Sequence, residues 1–457
     1  MHATSLESPS RSHRDQRRSS LLSSISLATL GRIVIGLLTF VAAGFNTVDI
    51  NFEGLIPEES VGLDWVVGVK LILAAACGAT GLVGVYCNPS WLGVMWRFPG
   101  CLLVSLGGVF LVTSVFAIPQ QARVCQAAAL VLVCYLAFLP TAIQCLGLRR
   151  MADWMLLGMV VNLLANWWFY LAVPSIGVYE EELSGDVRFL RMGGLGHPNA
   201  IGRMAILAGL IAMWRQFWPS DSSAGSSSKA NLPSKETFGP TFAAVLHFAI
   251  MGLAVATLAA AFSRTSVLAG TLGAAALWGS RLWTPRGLGL LLGGGGLTLV
   301  LAIAISLALG NDLGDYLVRS LTKTGDVGEL TTATGRTAIW GEAIRLIGQR
   351  PITGYGLNSA PVMLEDFSYH THNLLLHAAF SGGLVAGLLV AMLVVWNLAL
   401  AIGSSSPLVR AVSTVVLISG MFEDTVLDTF PGPSTLLWMA VLVVASVPSP
   451  KRSIIKV

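Results

Sequence analysis

The chain has 457 residues, 54% hydrophobic and only 11% charged, with a formal net charge of +4. Soluble domains carry about 25% charged residues, so composition excludes an ordinary soluble domain and indicates a multi-pass membrane protein. The small net charge decides little; where the charges fall along the chain decides more.

The chain opens on "RSHRDQRRSS", with Arg11, Arg14, Arg17 and Arg18. The apolar run that follows is longer than the roughly 7–15 residues of a signal peptide, so an uncleaved first helix is expected. Windows of about 19 residues give twelve spans, with approximate limits 28–46, 65–86, 100–118, 125–147, 154–173, 198–216, 240–261, 265–281, 287–310, 373–402, 408–427 and 434–449. With the N-terminus inside, the cytoplasmic segments hold Arg97, Arg149, Arg150, Arg215, Lys229, Lys235, Arg281, Arg286, Arg410, Lys451, Arg452 and Lys456. The first outer loop holds Asp49, Glu53, Glu58, Glu59 and Asp64, without lysine or arginine. This asymmetry obeys the positive-inside rule. The expected fold is an all-α integral membrane protein of about 12 transmembrane helices with both termini cytoplasmic.

The domain plan follows. Residues 1–27 form a basic tail, 28–310 hold the first nine spans, 311–371 form a large extracytoplasmic loop, 372–449 hold the last three spans and 450–457 a second tail. Within this plan, residues 219–239 are rich in serine and glycine and read as a disordered cytoplasmic linker. The six cysteines (Cys77, Cys87, Cys101, Cys125, Cys134 and Cys145) lie in or beside apolar segments and form no CxxC pair. They read as buried small hydrophobes rather than a zinc site or disulfide framework. "LGGGG" (Leu292–Gly296) lies inside the ninth span without a following Lys-Ser/Thr, which fits close helix packing better than a phosphate loop.

Two outer loops carry the chemistry-bearing residues. The first, from about Pro174 to Asn199, contains "GDVRFLRMGGLGHPN". In the second, "GRTAIWGEAIRLIGQRP" places Ile339, Ala343, Leu346 and Ile347 on one face, which predicts an amphipathic helix ended by Pro351. It should lie on the outer membrane surface or cap the bundle. "PITGYGLNS" then predicts a tight turn at Gly354 and Gly356. It superficially matches a dinucleotide fingerprint, but no strand precedes it. The loop ends in "YHTHNLLLH", which holds His370, His372 and His377. These three read as metal ligands, a catalytic base or interfacial polar residues. On a helix His372 and His377 would differ by about 140°, unlike the shared face of H-E-x-x-H, so metal binding is disfavoured.

"SRTS" (Ser263–Ser266), "GRTAIWGEA", "RPITGYGLNS" and "THNLLLHAAFSGGLVAGLL" occur in that order around the large loop. Together they resemble the O-antigen ligase/O-antigen polymerase superfamily of membrane glycosyltransferases over roughly residues 186–400. The resemblance implies transfer of a glycan from an undecaprenyl-diphosphate carrier to an acceptor hydroxyl. The reaction would run at the outer leaflet of a bacterial inner membrane, without metal or cofactor. By the same resemblance Arg191 and Arg264 hold the diphosphate, Arg336 assists with a less defined role, and His372 in the His-Asn motif, beside Asn373, is the base. Glu423 and Asp424, at the outer end of the eleventh span, are reserve candidates for the base or for acceptor contacts. Arg203, one turn into the sixth span, and His197 before Pro-Asn depart from the pattern. The implied partners are the lipid-linked donor, a lipid, glycan or protein acceptor and the membrane, with no nucleic acid.

The residue types suit that chemistry. A departing diphosphate gains negative charge, and guanidinium groups stay charged and bind its oxygens bidentately. A sugar hydroxyl is a poor nucleophile, and a neutral imidazole within hydrogen-bond reach accepts its proton during attack. Arg264 in its apolar setting also fits simple snorkelling to the interface. The rivals are a polymerase that extends a carrier-linked glycan, a protein O-oligosaccharyltransferase and, from another class, a secondary transporter. Transporters tend to show repeated halves and polar groups near the midplane, and neither pattern is evident.

Overall fold

A computed structural model describes residues 27–49, 65–182, 188–218, 240–279, 336–423 and 426–445. The ninth expected span, the basic N-terminus, the serine-rich linker and Asp424 lie outside these residues. The described chain is helical apart from one two-stranded sheet. In chain order it runs α1 (Leu27–Phe45), α2 (Trp65–Cys87), α3 (Gly100–Ser114), α4 (Ala122–Ala172), β1 (Val178–Glu182), β2 (Arg188–Met192), α5 (Pro198–Phe217) and α6 (Pro240–Ala261). It continues with α7 (Arg264–Trp278), α8 (Arg336–Gln349), α9 (Leu374–Gly403), α10 (Pro407–Gly420) and α11 (Pro433–Ala445). Among the described residues, five helices are long and apolar enough to cross a membrane: α1, α2, α4, α6 and α9. α3, α10 and α11 are apolar but shorter.

α4 covers two expected spans and is broken at Gly147, whose φ of 69° is left-handed. Asn162 Nδ2 donates to Gly44 O at 2.6 Å, and Asn46 Nδ2 donates to the Tyr135 hydroxyl at 2.8 Å. A straight helix would put residues 135 and 162 about 40 Å apart at 1.5 Å per residue, yet both meet the same end of α1. The chain therefore doubles back at Gly147, as two spans joined by a tight turn require. Small residues let the helices approach: a Cβ on Gly81 would meet Ala137 O at 2.3 Å, and one on Gly44 would meet Gly158 O at 2.7 Å.

α9 breaks at Gly382 and Gly383, the latter with φ 73°. The turn after α8 supplies partners for the backbone groups freed there. Tyr355 N donates to Phe380 O (2.9 Å), Gly356 N to Ser381 O (2.8 Å), and Leu384 N to Pro351 O (2.7 Å). Gly354 and Gly356 both take left-handed φ, as a tight turn needs. Ile339, Ala343, Leu346 and Ile347 of α8 are buried, as the period predicts, and pack with Tyr355 and Phe380 against α9. α8 thus caps the bundle, docked on a broken helix whose polar backbone is satisfied by protein.

α10 stops at Gly420, short of the expected limit near 427. Its last turn closes on itself, because Phe422 N and Glu423 N both donate to Ser419 O. Glu423 consequently sits in a turn beyond the helix.

Candidate active site

The described helix ends fall into two groups. At one end Arg215 Nε lies 2.9 Å from an Asp153 carboxylate oxygen, and Arg149 donates to Trp218 O. At the same end Arg410 donates to Ala276 O and Ser404 O, tying α7, α9 and α10 together. The starts of α7 and α9 and the finish of α10 therefore lie at the opposite end.

There the structure gathers residues far apart in sequence around Glu423, which is 5% exposed. Its Oε1 accepts from Asn199 Nδ2 (2.9 Å) and Arg336 Nη2 (3.1 Å). Its Oε2 lies 3.2 Å from His372 Nδ1 and 4.0 Å from Arg203 Nη1. Burial pushes the Glu423 carboxyl up. The hydrogen bond and charge of His372, with the charges of Arg203 and Arg336, outweigh burial and hold the group below its usual value.

Each member is positioned by an identifiable local device. Arg191 lies on β2, opposite Tyr179 of β1, and is 4% exposed. Its Nε donates to Ala261 O at the end of α6 and its Nη2 to Asn199 Oδ1 (2.9 and 2.8 Å). Asn199 therefore links Arg191 to Glu423. His197 caps α5, its Nδ1 accepting from Asn199 N, and Pro198 takes the first helical position. Arg203 follows one turn later. The preceding Gly202 lets α5 press on the start of α7, since a Cβ there would meet Ser266 Oγ at 2.8 Å. Arg264 opens α7, its guanidinium 5.8 Å from the Phe262 ring, three residues after the carbonyl that Arg191 holds. Arg336 opens α8 with its guanidinium beside the Phe422 ring.

His372 takes a left-handed backbone, φ 50°, which is uncommon outside glycine. Its Nδ1 faces Glu423, and its Nε2 lies 3.0 Å from Ser368 Oγ. Asn373 then caps α9, its side chain accepting from Leu375 N and Leu376 N (3.0 and 3.1 Å). Its Nδ2 donates to Met421 O, fastening the His372 loop to the Glu423 turn. His370 is exposed, whereas His377 is buried in α9. Among the described residues no group of three or more His, Cys, Asp or Glu side chains is placed to hold a metal ion.

Of the residues singled out from sequence, Arg336, His372 and Glu423 meet directly, Arg191 joins through Asn199, and Asn373 braces the loop. Arg264 stands at the same end, on the neighbouring helix start. Sequence reasoning missed Asn199 and Ser368, and it treated Arg203 as a departure. A guanidinium inside an apolar span is costly, which was the signal available for Arg203. The starts of α5, α8 and α9 meet around Glu423, with α7 starting beside α5, and helix dipoles at such ends favour anions.

A family model described as O-antigen ligase matches residues 249–391. The match spans most of α6 through the first part of α9 and includes Arg264, Arg336, His372 and Asn373, whereas Arg191, Arg203 and Glu423 lie outside it. No curated protein matches the chain at a significant level.

Proposed function

We propose, from the match of residues 249–391 to a family model described as O-antigen ligase, that the chain is a membrane glycosyltransferase of that superfamily and moves a glycan from an undecaprenyl-diphosphate carrier to an acceptor hydroxyl at the outer leaflet of the inner membrane. The observation that carries this reading is His372 held between the buried Glu423 carboxylate and a hydroxyl, beside several arginines. A carboxylate accepting from Nδ1–H fixes the ring and leaves the Nε2 lone pair to take a proton. The acceptor oxygen attacks the anomeric carbon from the face opposite the carrier, and its proton passes to Nε2. The anomeric C–O bond breaks toward the diphosphate, and its added charge falls on Arg191, Arg264 and Arg336. Arg203, facing the same carboxylate, adds to that field.

The outer placement of His372 is supported by the charge asymmetry of the connecting segments: Arg149, Arg150, Arg215 and Arg410 fall at the opposite end, and the first outer loop has no lysine or arginine. The test is His372→Ala in a strain deleted for the chain. Insertion and expression should be normal, with almost no glycan transferred, while His370→Ala and His377→Ala keep substantial activity. Transfer by the purified wild type should survive EDTA. An active His372→Ala protein would remove the base assignment. Chelator sensitivity with comparable losses at two histidines would restore the metal reading. Lost attachment of glycan to acceptor in the deletion strain marks a ligase, whereas lost chain length marks a polymerase.

A further inference from the structure

We propose that the Ser368 hydroxyl is the resting occupant of the acceptor hydroxyl's position on His372, and that it shields the base from water until the acceptor displaces it. This rests on His372 being the base.

The geometry is specific on both sides of the imidazole. Because Nδ1 lies 3.2 Å from a buried carboxylate, the ring proton belongs there and Nε2 carries the lone pair. Ser368 Oγ, 3.0 Å from Nε2, must then donate its hydroxyl proton to it, as a sugar hydroxyl about to attack would. The serine is held by its own loop: its N–H donates to Leu364 O (2.8 Å), and its Oγ accepts from His370 N–H (3.3 Å). The left-handed backbone at His372 turns the ring back onto the residue four positions earlier. Ser368 is tethered at its backbone, and its hydroxyl is held only by the contacts with His372 Nε2 and His370 N–H. A change of χ1 rotamer uncovers Nε2 without moving the loop.

The consequence is selectivity between two nucleophiles. With an acceptor in place, its oxygen bonds to the anomeric carbon, the C–O bond to the diphosphate breaks and the acceptor proton moves to Nε2. Water can follow the same path, its proton also going to Nε2, and the product is free glycan. A hydroxyl covering Nε2 denies water its base while the donor waits. Serine matches this use, being small enough to swing aside and polar enough to satisfy the lone pair.

The test uses the full purified chain and the lipid-linked glycan fraction extracted from membranes of the deletion strain. Free glycan released without acceptor is measured beside transfer to acceptor in those membranes, for wild type, Ser368→Ala, Ser368→Thr and His372→Ala. Ser368→Ala should raise free-glycan release several-fold and lower the transfer-to-hydrolysis ratio, while Ser368→Thr, which restores a hydroxyl, stays near wild type. Three results overturn the proposal: unchanged release by Ser368→Ala; loss of both release and transfer, which would make the serine a proton relay; or glycan attached to Ser368 by mass spectrometry. A His372→Ala chain that transfers at the wild-type rate would instead defeat the base assignment itself, a failure readable independently of the serine variants.

Discussion

Glu423→Gln separates orientation of the base from mere packing. The amide keeps one oxygen to accept from Asn199 Nδ2 and Arg336 Nη2, but it turns an NH2 group toward His372 Nδ1, now 3.2 Å from a carboxylate oxygen. Nδ1 must then accept, the ring proton moves to Nε2, and the lone pair proposed to take the acceptor's proton is lost. General-base catalysis contributes about 10²–10⁴-fold, so transfer should fall by roughly that factor, or about 2.7–5.5 kcal/mol of barrier. Stability should fall less. Losing charge assistance costs about 1 kcal/mol per hydrogen bond, partly offset because a neutral amide is cheaper to bury than a carboxylate. The pH dependence has a definite sign. The folded carboxyl lies below the ordinary glutamate value of 4.5, so its stabilisation is complete above about pH 4.5 and fades as pH drops toward the lowered value. The assay pairs glycan transfer in the deletion strain with thermal unfolding of detergent-purified protein between pH 4 and 8. The gap in midpoint between wild type and Glu423→Gln should hold above pH 5 and narrow below pH 4.5. Wild-type transfer by Glu423→Gln would refute the orientation argument.

Other perturbations probe the remaining parts. Arg264→Lys keeps the charge but loses the planar fork, so it should lose most transfer; an unchanged rate would make Arg264 an interfacial anchor. Gly383→Ala places a Cβ 2.2 Å from Ile352 O at φ 73°, so roughly 1–3 kcal/mol of backbone strain plus the displaced turn should lower the thermal midpoint and the yield. In a cysteine-free background, a single cysteine at Glu365 should react with a membrane-impermeant thiol reagent in outer-membrane-permeabilised cells, and one at Ser226 should not. Labelling with the reverse pattern would put His372 on the wrong face for a carrier-linked donor.

What was legible in the sequence was what local pattern encodes. Apolar length marked the helices, and the 3.6-residue period of Ile339, Ala343, Leu346 and Ile347 named the buried face of α8. Gly354 and Gly356 marked a turn because glycine tolerates left-handed backbone. The break in α9 was not legible, since Gly382 and Gly383 sit in an uninterrupted apolar run whose partner is the turn about 30 residues earlier. The pairing of Asn199 with Glu423 spans 224 residues, and no local spacing announces it. Glu423 was singled out only as a reserve candidate for the base or for acceptor contacts, and its central position depends on α10 stopping at Gly420.

On the proposed reading, the buried carboxylate has a reason to stand among groups meant for an anion. Arg203 and Arg336, near the starts of α5 and α8, face one carboxylate and would repel one another without it. Glu423 holds Arg336 at 3.1 Å and Arg203 at 4.0 Å and, through Asn199, fixes Arg191. The clamp is thereby organised before the donor arrives, and organisation in advance is what electrostatic catalysis requires. When a diphosphate binds, it competes with Glu423 for Arg336 and Arg203, and the carboxylate turns more of its charge toward His372.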